Sequence, residues 1–113
     1  MDQKFKRKVY YYKNFYKSFF IELAPEVQRK FNWTLDLISN QRHVPTKYLR
    51  YINESAGLYE VRVEYESNTY RVFCFFDSQR VILLNGFQKK SAKTPKIEIA
   101  IAQRLKKLFY DEQ

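Results

Sequence analysis

The stretch LYEVRVEYESNTYRVFCFFDSQRVILLNGFQKK, from Leu58 to Lys90, limits the folding options of this chain more than any other. It holds three runs rich in Val, Tyr, Phe and Ile, separated by short polar breaks at Ser67-Asn68 and Ser78-Gln79. Such runs favour a pleated, half-buried surface, and breaks this short favour hairpins, so the stretch predicts three consecutive antiparallel strands. Arginines at positions 62 and 71 interrupt the apolar pattern where a plain hairpin would carry Thr or Val.

Strand side chains alternate between faces, so the turn length decides whether those arginines can act together. With Ser67-Asn68 as a two-residue turn, Glu66 faces Thr69, Glu64 faces Arg71 and Arg62 faces Phe73. Arg62 and Arg71 then share one face as diagonal neighbours within reach of a common phosphate. The same count puts Val61, Val63 and Tyr65 with Tyr70, Val72, Cys74 and Phe76 on the opposite, apolar face, whereas a three-residue turn would split the arginines. Carrying the pairing through Ser78-Gln79 opposes Asp77 to Arg80, Phe75 to Ile82, Phe73 to Leu84 and Arg71 to Gly86. A glycine beside Arg71 leaves room for a bulky ligand, or else marks a bulge or bend. The third strand runs into QKKSAKTPK, where Lys89, Lys90, Lys93 and Lys96 have no acid to balance them. Arginine binds phosphate through a planar fork and lysine as a point charge, so these residues together describe an anionic-ligand site. The plainer alternative is a cross-strand ion pair of Arg71 with Glu64 beside a solvated lysine loop.

The flanks read as helices around this hairpin set. Val9 to Tyr12 is β-prone and predicts a strand; Phe19, Phe20 and Leu23 have the spacing of a short helix, and Pro25 suits the first position of a longer one ending near Asn40. Val27, Phe31, Leu35 and Ile38 form its buried stripe, with Trp33 and Leu37 widening the apolar face. QRHVPTKYLRYINESAG reads as a long basic connection in which Pro45 discourages a regular element, and His43 within it as a solvated loop residue. For the last helix, Thr94 is the expected N-cap, Pro95 the first helical position, and Ile97, Ile101, Leu105 and Leu108 the buried stripe. Arg104, Lys106 and Lys107 fall where cations favour a helix C-terminus.

A chain of 113 residues with two glycines and three prolines has the size of one domain and few flexible linkers, so a single domain over 1–113 is expected. The net charge of +9 points to a polyanionic partner. Ten Tyr and ten Phe supply enough apolar surface for a core; tyrosines also stack on bases, although most here sit in strand-like runs. Cys74 has no cysteine partner, the N-terminal apolar residues are broken by Lys13, Asn14 and Lys17, and no apolar run reaches 18 residues, so neither disulfides, a signal peptide nor a membrane span is expected and a cytoplasmic setting follows. Paired cysteines or histidines for zinc, a glycine-rich phosphate loop and a nucleophile–histidine–acid set are all missing from the sequence, so no metal or cofactor is expected.

The order strand, helix, helix, three antiparallel strands, helix, with the blocks GLYEVRVEY, NTYRVFCFFD and VILLNGFQKKSAKTP, resembles the toxins of bacterial toxin-antitoxin pairs, in particular the HigB-like, phage-related branch of the RelE/ParE superfamily. The resemblance implies an α+β domain with an antiparallel sheet of about four strands, two N-terminal helices and a C-terminal helix. It implies a metal-independent, ribosome-dependent mRNA endoribonuclease, restrained by a cognate antitoxin that is commonly a helix-turn-helix protein. By position it assigns transition-state charge to Arg71, helper roles to Arg62 and Lys90, and RNA backbone contacts to Lys89, Lys93 and Lys96. The general base stays open: other members offer a histidine or tyrosine near the end of the chain, a pattern from which this sequence departs, and Glu64 or Glu60 are the acids near Arg62. A ParE-like inhibitor of DNA gyrase and a plain RNA-binding module remain the alternatives.

Overall fold

The computed structural model describes residues 5–113; residues 1–4, the start of the basic N-terminal run, lie outside the described residues. The elements are β1 (Lys8–Tyr11), α1 (Phe15–Phe20), α2 (Pro25–Asn40), β2 (Leu49–Tyr51), β3 (Tyr59–Tyr65), β4 (Asn68–Asp77), β5 (Arg80–Lys89) and α3 (Lys96–Asp111). They build one sheet in the order β1-β5-β4-β3-β2. The α+β class and helix placement are as expected. The sheet has five strands rather than about four, and β1 runs parallel to β5, so it is mixed rather than wholly antiparallel.

The extra strand, β2, lies in the segment expected to be an irregular connection. Pro45 closes a turn through its carbonyl, which accepts from Tyr48 and Leu49 amides, and pairing with β3 begins at once: Arg62 N–H donates to the Tyr48 carbonyl at 2.9 Å. Three residues with an arginine at their centre carry no legible period, so this strand is specified by its partner.

Alternation put the two faces of the hairpins correctly, because they pack against different helices. Val61, Val63, Tyr70, Val72 and Cys74 join Tyr16, Val27, Phe31, Leu35 and Ile38 of α1 and α2 in one core. Phe73, Phe75, Ile82 and Leu84 join Tyr12 and the α3 residues Ala102, Leu105 and Phe109 in the other. Trp33, expected to pack, is 56% exposed with its ring edge-on to Tyr48, and Thr34 takes the buried place, its hydroxyl donating to the Lys30 carbonyl. Arg7 ties the chain's start to α2 by donating to the Ile38, Gln41 and Arg42 carbonyls at that helix's C-terminus, where backbone acceptors are otherwise orphaned.

Helix α3 is turned relative to expectation. Ile97 and Ile101 are 69% and 40% exposed, whereas Ala102, Leu105 and Phe109 are buried. Phe109 meets Tyr12 and Phe75 edge-on at 5.7 and 5.4 Å, and docking that large ring sets the helix rotation against the two isoleucines. Thr94 does not cap α3: Pro95 holds the N-cap position in extended backbone without a side-chain cap bond. The basic residues expected to serve the helix dipole lie before its last turn; Lys106 donates to the Ala56 carbonyl and Lys107 pairs with Asp111.

The β4–β5 pairing slips by one residue between Val72 and Cys74, so Gly86 opposes Val72 and Arg71 opposes Phe87. The bulge reading of Gly86 therefore holds. The glycine makes room for protein rather than ligand, since a Cβ there would sit 2.6 Å from the Phe19 ring. Gly86→Ala should destabilise the fold by about 1–3 kcal/mol through overpacking, with Phe19→Leu in the same chain restoring most of the loss; urea unfolding of the single and double variants reads this directly.

Candidate anion-binding active site

The site grows from three cross-strand rows on the face that α3 shares. Arg50, Glu60 and Phe73 form the first row, Arg62, Arg71 and Phe87 the second, Glu64, Thr69 and Lys89 the third. Helix α3 packs on β4 and β5, so the charged rows lie toward the β2–β3 end of that face. The observed register differs from the expected one by a two-residue slide. The turn is Glu66-Ser67, both at positive φ (48° and 68°), as a two-residue primed turn needs. Arg62 therefore stands directly opposite Arg71 rather than diagonal to it, and Glu64 opposes Thr69, which removes Glu64 as the cross-strand partner of Arg71.

That partner is Glu60. Its side chain is fully buried, and its carboxylate lies 3.1 Å from Arg50 Nη2, 3.5 Å from Arg62 Nε and 3.6 Å from Arg71 Nε. All three contacts are ionic without hydrogen-bond geometry: neither Glu60 carboxylate oxygen, nor Arg62 Nε, nor Arg71 Nε has a hydrogen-bond partner among the described residues. Arg62 Nη1 instead donates to the Thr46 carbonyl at 2.9 Å and Arg71 Nη1 to the Tyr70 carbonyl at 3.0 Å. Exposure is graded, with side-chain values of 48% for Arg50, 21% for Arg62 and 2% for Arg71. An incoming anion meets Arg50 and Arg62 first, with Arg71 as charge beneath them. Glu60 is closed off by the cations it holds together, so no substrate hydroxyl reaches it.

Burial pulls the Arg71 guanidinium below its ordinary range, opposed by Glu60 and reinforced by Arg62. Lys89 is drawn into the same field: burial, then the charge of Arg71, holds its ammonium below the usual lysine value. Lys89, Lys93 and Lys96 line one cleft of about 770 Å³ with Arg50, between the end of β2 and the start of α3. Lys90, by contrast, is exposed one residue past β5, and Glu64 is exposed at the far end of the charged face. Arg50 escaped the sequence analysis because the strand that aims it has no periodicity of its own. His43 is exposed in a loop as expected, and no group of three or more His, Cys, Asp or Glu able to hold a metal occurs among the described residues.

The family description "Phage derived protein Gp49-like" matches residues 18–107. The chain belongs to this Gp49-like family. The family is RelE-like, which places the chain among toxins of the RelE superfamily. No curated protein matches the chain. Among solved structures, it is similar to a free-state arginine-to-alanine mutant of the Escherichia coli toxin RelE, with a TM-score of 0.61 at 10% identity, covering 88% of this chain and 97% of that one. At that identity the likeness is one of fold. In this Gp49-like chain no helix among the described residues is long and apolar enough to cross a membrane.

Two outcomes follow from the charge geometry. Glu60→Gln leaves buried guanidinium charge without a counter-ion and should cost on the order of 3 kcal/mol in chemical unfolding, whereas Arg50→Ala, at a half-exposed position, should cost about 1 kcal/mol or less. Lys89 binds its proton less tightly in the folded than in the unfolded chain, so its charge opposes folding at neutral pH and that opposition fades as pH rises through its lowered folded value. NMR titration of the lysine Cε groups should show Lys89 deprotonating below the ordinary lysine range.

Proposed function

We propose that this protein is the toxin of a type II toxin-antitoxin pair, an mRNA endoribonuclease of the HigB-like kind that works on the ribosome and arrests growth by inhibiting translation. The observation that carries the reading is the cluster of Arg50, Arg62, Arg71 and Lys89 around the single buried carboxylate of Glu60, which leaves a strong positive excess on an accessible sheet face. In the reaction, the ribose 2′ oxygen bonds to the adjacent phosphorus, giving a 2′,3′-cyclic phosphate, the bond from phosphorus to the 5′ oxygen breaks, the 2′ proton passes to a base, and the departing 5′ oxygen takes a proton from water. Negative charge gathers on the non-bridging oxygens as this happens. Cations fixed in advance in a water-poor site stabilise that charge without reorganising.

Arg62 and Arg50 contact the phosphate, Arg71 supplies charge from below, and Lys89, Lys93 and Lys96 hold the RNA backbone along their cleft. Lys90, exposed beside the cleft, completes the basic rim. Glu64, exposed on the same strand face, is the carboxylate available as base, and Glu60 is a positioning residue. The partners are mRNA on the ribosome and a cognate antitoxin, a helix-turn-helix protein in this branch; the setting is cytoplasmic.

Purified toxin added to ribosomes programmed with a defined mRNA should produce new 5′ ends in primer extension. Arg62→Ala and Arg71→Ala should each lower the cleavage rate about 100-fold or more, as loss of a fixed donor to an oxyanion does. Arg62 is partly exposed, so Arg62→Ala should keep a near wild-type melting temperature and separates chemistry from folding. Intact mRNA at stoichiometric toxin would reject the nuclease, and loss of gyrase supercoiling in its place would establish the ParE-like activity.

A further inference from the structure

A second recess opens just around the sheet edge from the arginines. Strand β2 pairs only with Tyr59–Val61, so the outer edge of β3 beyond Arg62 faces no further strand among the described residues, and α2 lies across the gap. The resulting groove, about 680 Å³, is floored by Trp33, Tyr48 and Tyr65. Trp33 presents more than half its surface to solvent while its ring stands edge-on to Tyr48 at 5.3 Å. Around these rings the groove carries Arg29, Lys30, Lys47 and Arg62 against Glu26 and Glu64. Lys30 donates its ammonium to the Glu64 carbonyl and lies 5.8 Å from the Tyr65 ring, and Arg62 is held by Glu60 and the Thr46 carbonyl, which leaves Lys47, 5.6 Å from the Tyr48 ring, and the largely exposed Arg29, loosely paired with Glu26 at 3.9 Å, to face a ligand.

We propose that this groove is a stacking subsite for an unpaired nucleobase of the same single-stranded RNA whose phosphate the arginine cluster holds. Arg62 joins the two sites: its Nε faces Glu60 in the cluster, its Nη1 is fixed on Thr46, and the side chain lines the groove. A strand whose scissile phosphate sits on Arg62 and Arg50 thus has a neighbouring base within reach of the aromatic floor. An exposed Trp33 ring flanked by the half-buried rings of Tyr48 and Tyr65, with cations at the rim, is what sequence-tolerant single-strand binding uses, the rings taking π-faces and the cations the backbone. The positive balance of the groove favours this occupant over an acid-poor protein segment, and its continuity with the cluster gives it a role in positioning substrate. The inference rests on the RNA-cleaving reading above.

Trp33 is the only tryptophan, so its fluorescence reports the groove directly. Full-length protein would be titrated with a short single-stranded 2′-O-methyl oligoribonucleotide, which cannot be cut, and with an abasic strand of equal length and charge. Quenching by the base-bearing strand, tighter binding of it than of the abasic one, and about tenfold weaker binding by Trp33→Ala with near-recovery in Trp33→Phe are expected; the abasic strand should bind wild type and Trp33→Ala alike when followed by anisotropy. Equal affinity for the two strands, or no change in fluorescence at saturation, overturns the subsite. Quenching by an acidic amphipathic peptide but not by the oligonucleotide overturns it too and assigns the groove to a protein partner. The parent reading fails separately: if Arg62→Ala and Arg71→Ala cut mRNA like wild type, the nuclease site is wrong whatever Trp33 reports.

Discussion

The carboxylate of Glu60 is the interaction on which the charged face depends. Two arginines placed directly opposite each other across a ladder, with side chains about 5 Å apart, repel by about 3 kcal/mol at an effective dielectric near 20. One carboxylate at 3.5 and 3.6 Å from both attracts each by about 5 kcal/mol on the same scale. The attraction therefore exceeds the repulsion it offsets, and a pairing that would otherwise push the hairpin into another register is held. Desolvation takes back much of this gain, so the cluster organises the face more than it stabilises the fold. What it leaves is directional: guanidiniums held by a buried anion on one side turn their unused charge outward.

The sheet divides the labour between its faces. One is closed by α1 and α2 over a continuous apolar layer, with Gly86 admitting the Phe19 ring so closely that no side chain fits there. The other is closed by α3 only over β4 and β5, where Phe73, Phe75 and Phe109 form the core. At the β2–β3 end the same face carries charge. A rigid scaffold on one side and an uncapped cationic surface on the other suit electrostatic stabilisation of a phosphoryl transition state, where charges must already be in place when the bond forms. Belonging to a RelE-like family fits that division, and the graded exposure from Arg50 through Arg62 to Arg71 gives an anion a path inward.

Much of this arrangement was readable from residue patterns, and the failures have a common cause. The apolar alternation of Val61, Val63, Val72 and Cys74 separated the two faces correctly, since the side-chain period of a strand is local. The same alternation is blind to a slide of two residues, so it could not distinguish Arg71 opposite Glu64 from Arg71 opposite Arg62. Thr94 and the Ile97–Ile101 stripe gave a plausible helix start and buried face for α3, yet the helix begins after Pro95 and turns to bury Phe109. Trp33 matched an apolar helical position and is solvent-facing, because Thr34 satisfies its own hydroxyl within the helix and can be buried at little cost.

The sequence by itself determined that strands, amphipathic helices and a cationic face would exist, because each depends on spacing within a few residues. The tertiary structure decided which charges meet. Ion-pair partners, the bulge that sets Gly86 against Val72, the strand that carries Arg50 and the rotation of α3 all depend on groups brought together from distant parts of the chain. Their energies exist only once the sheet has assembled around Glu60, so no local pattern could have encoded them in legible form.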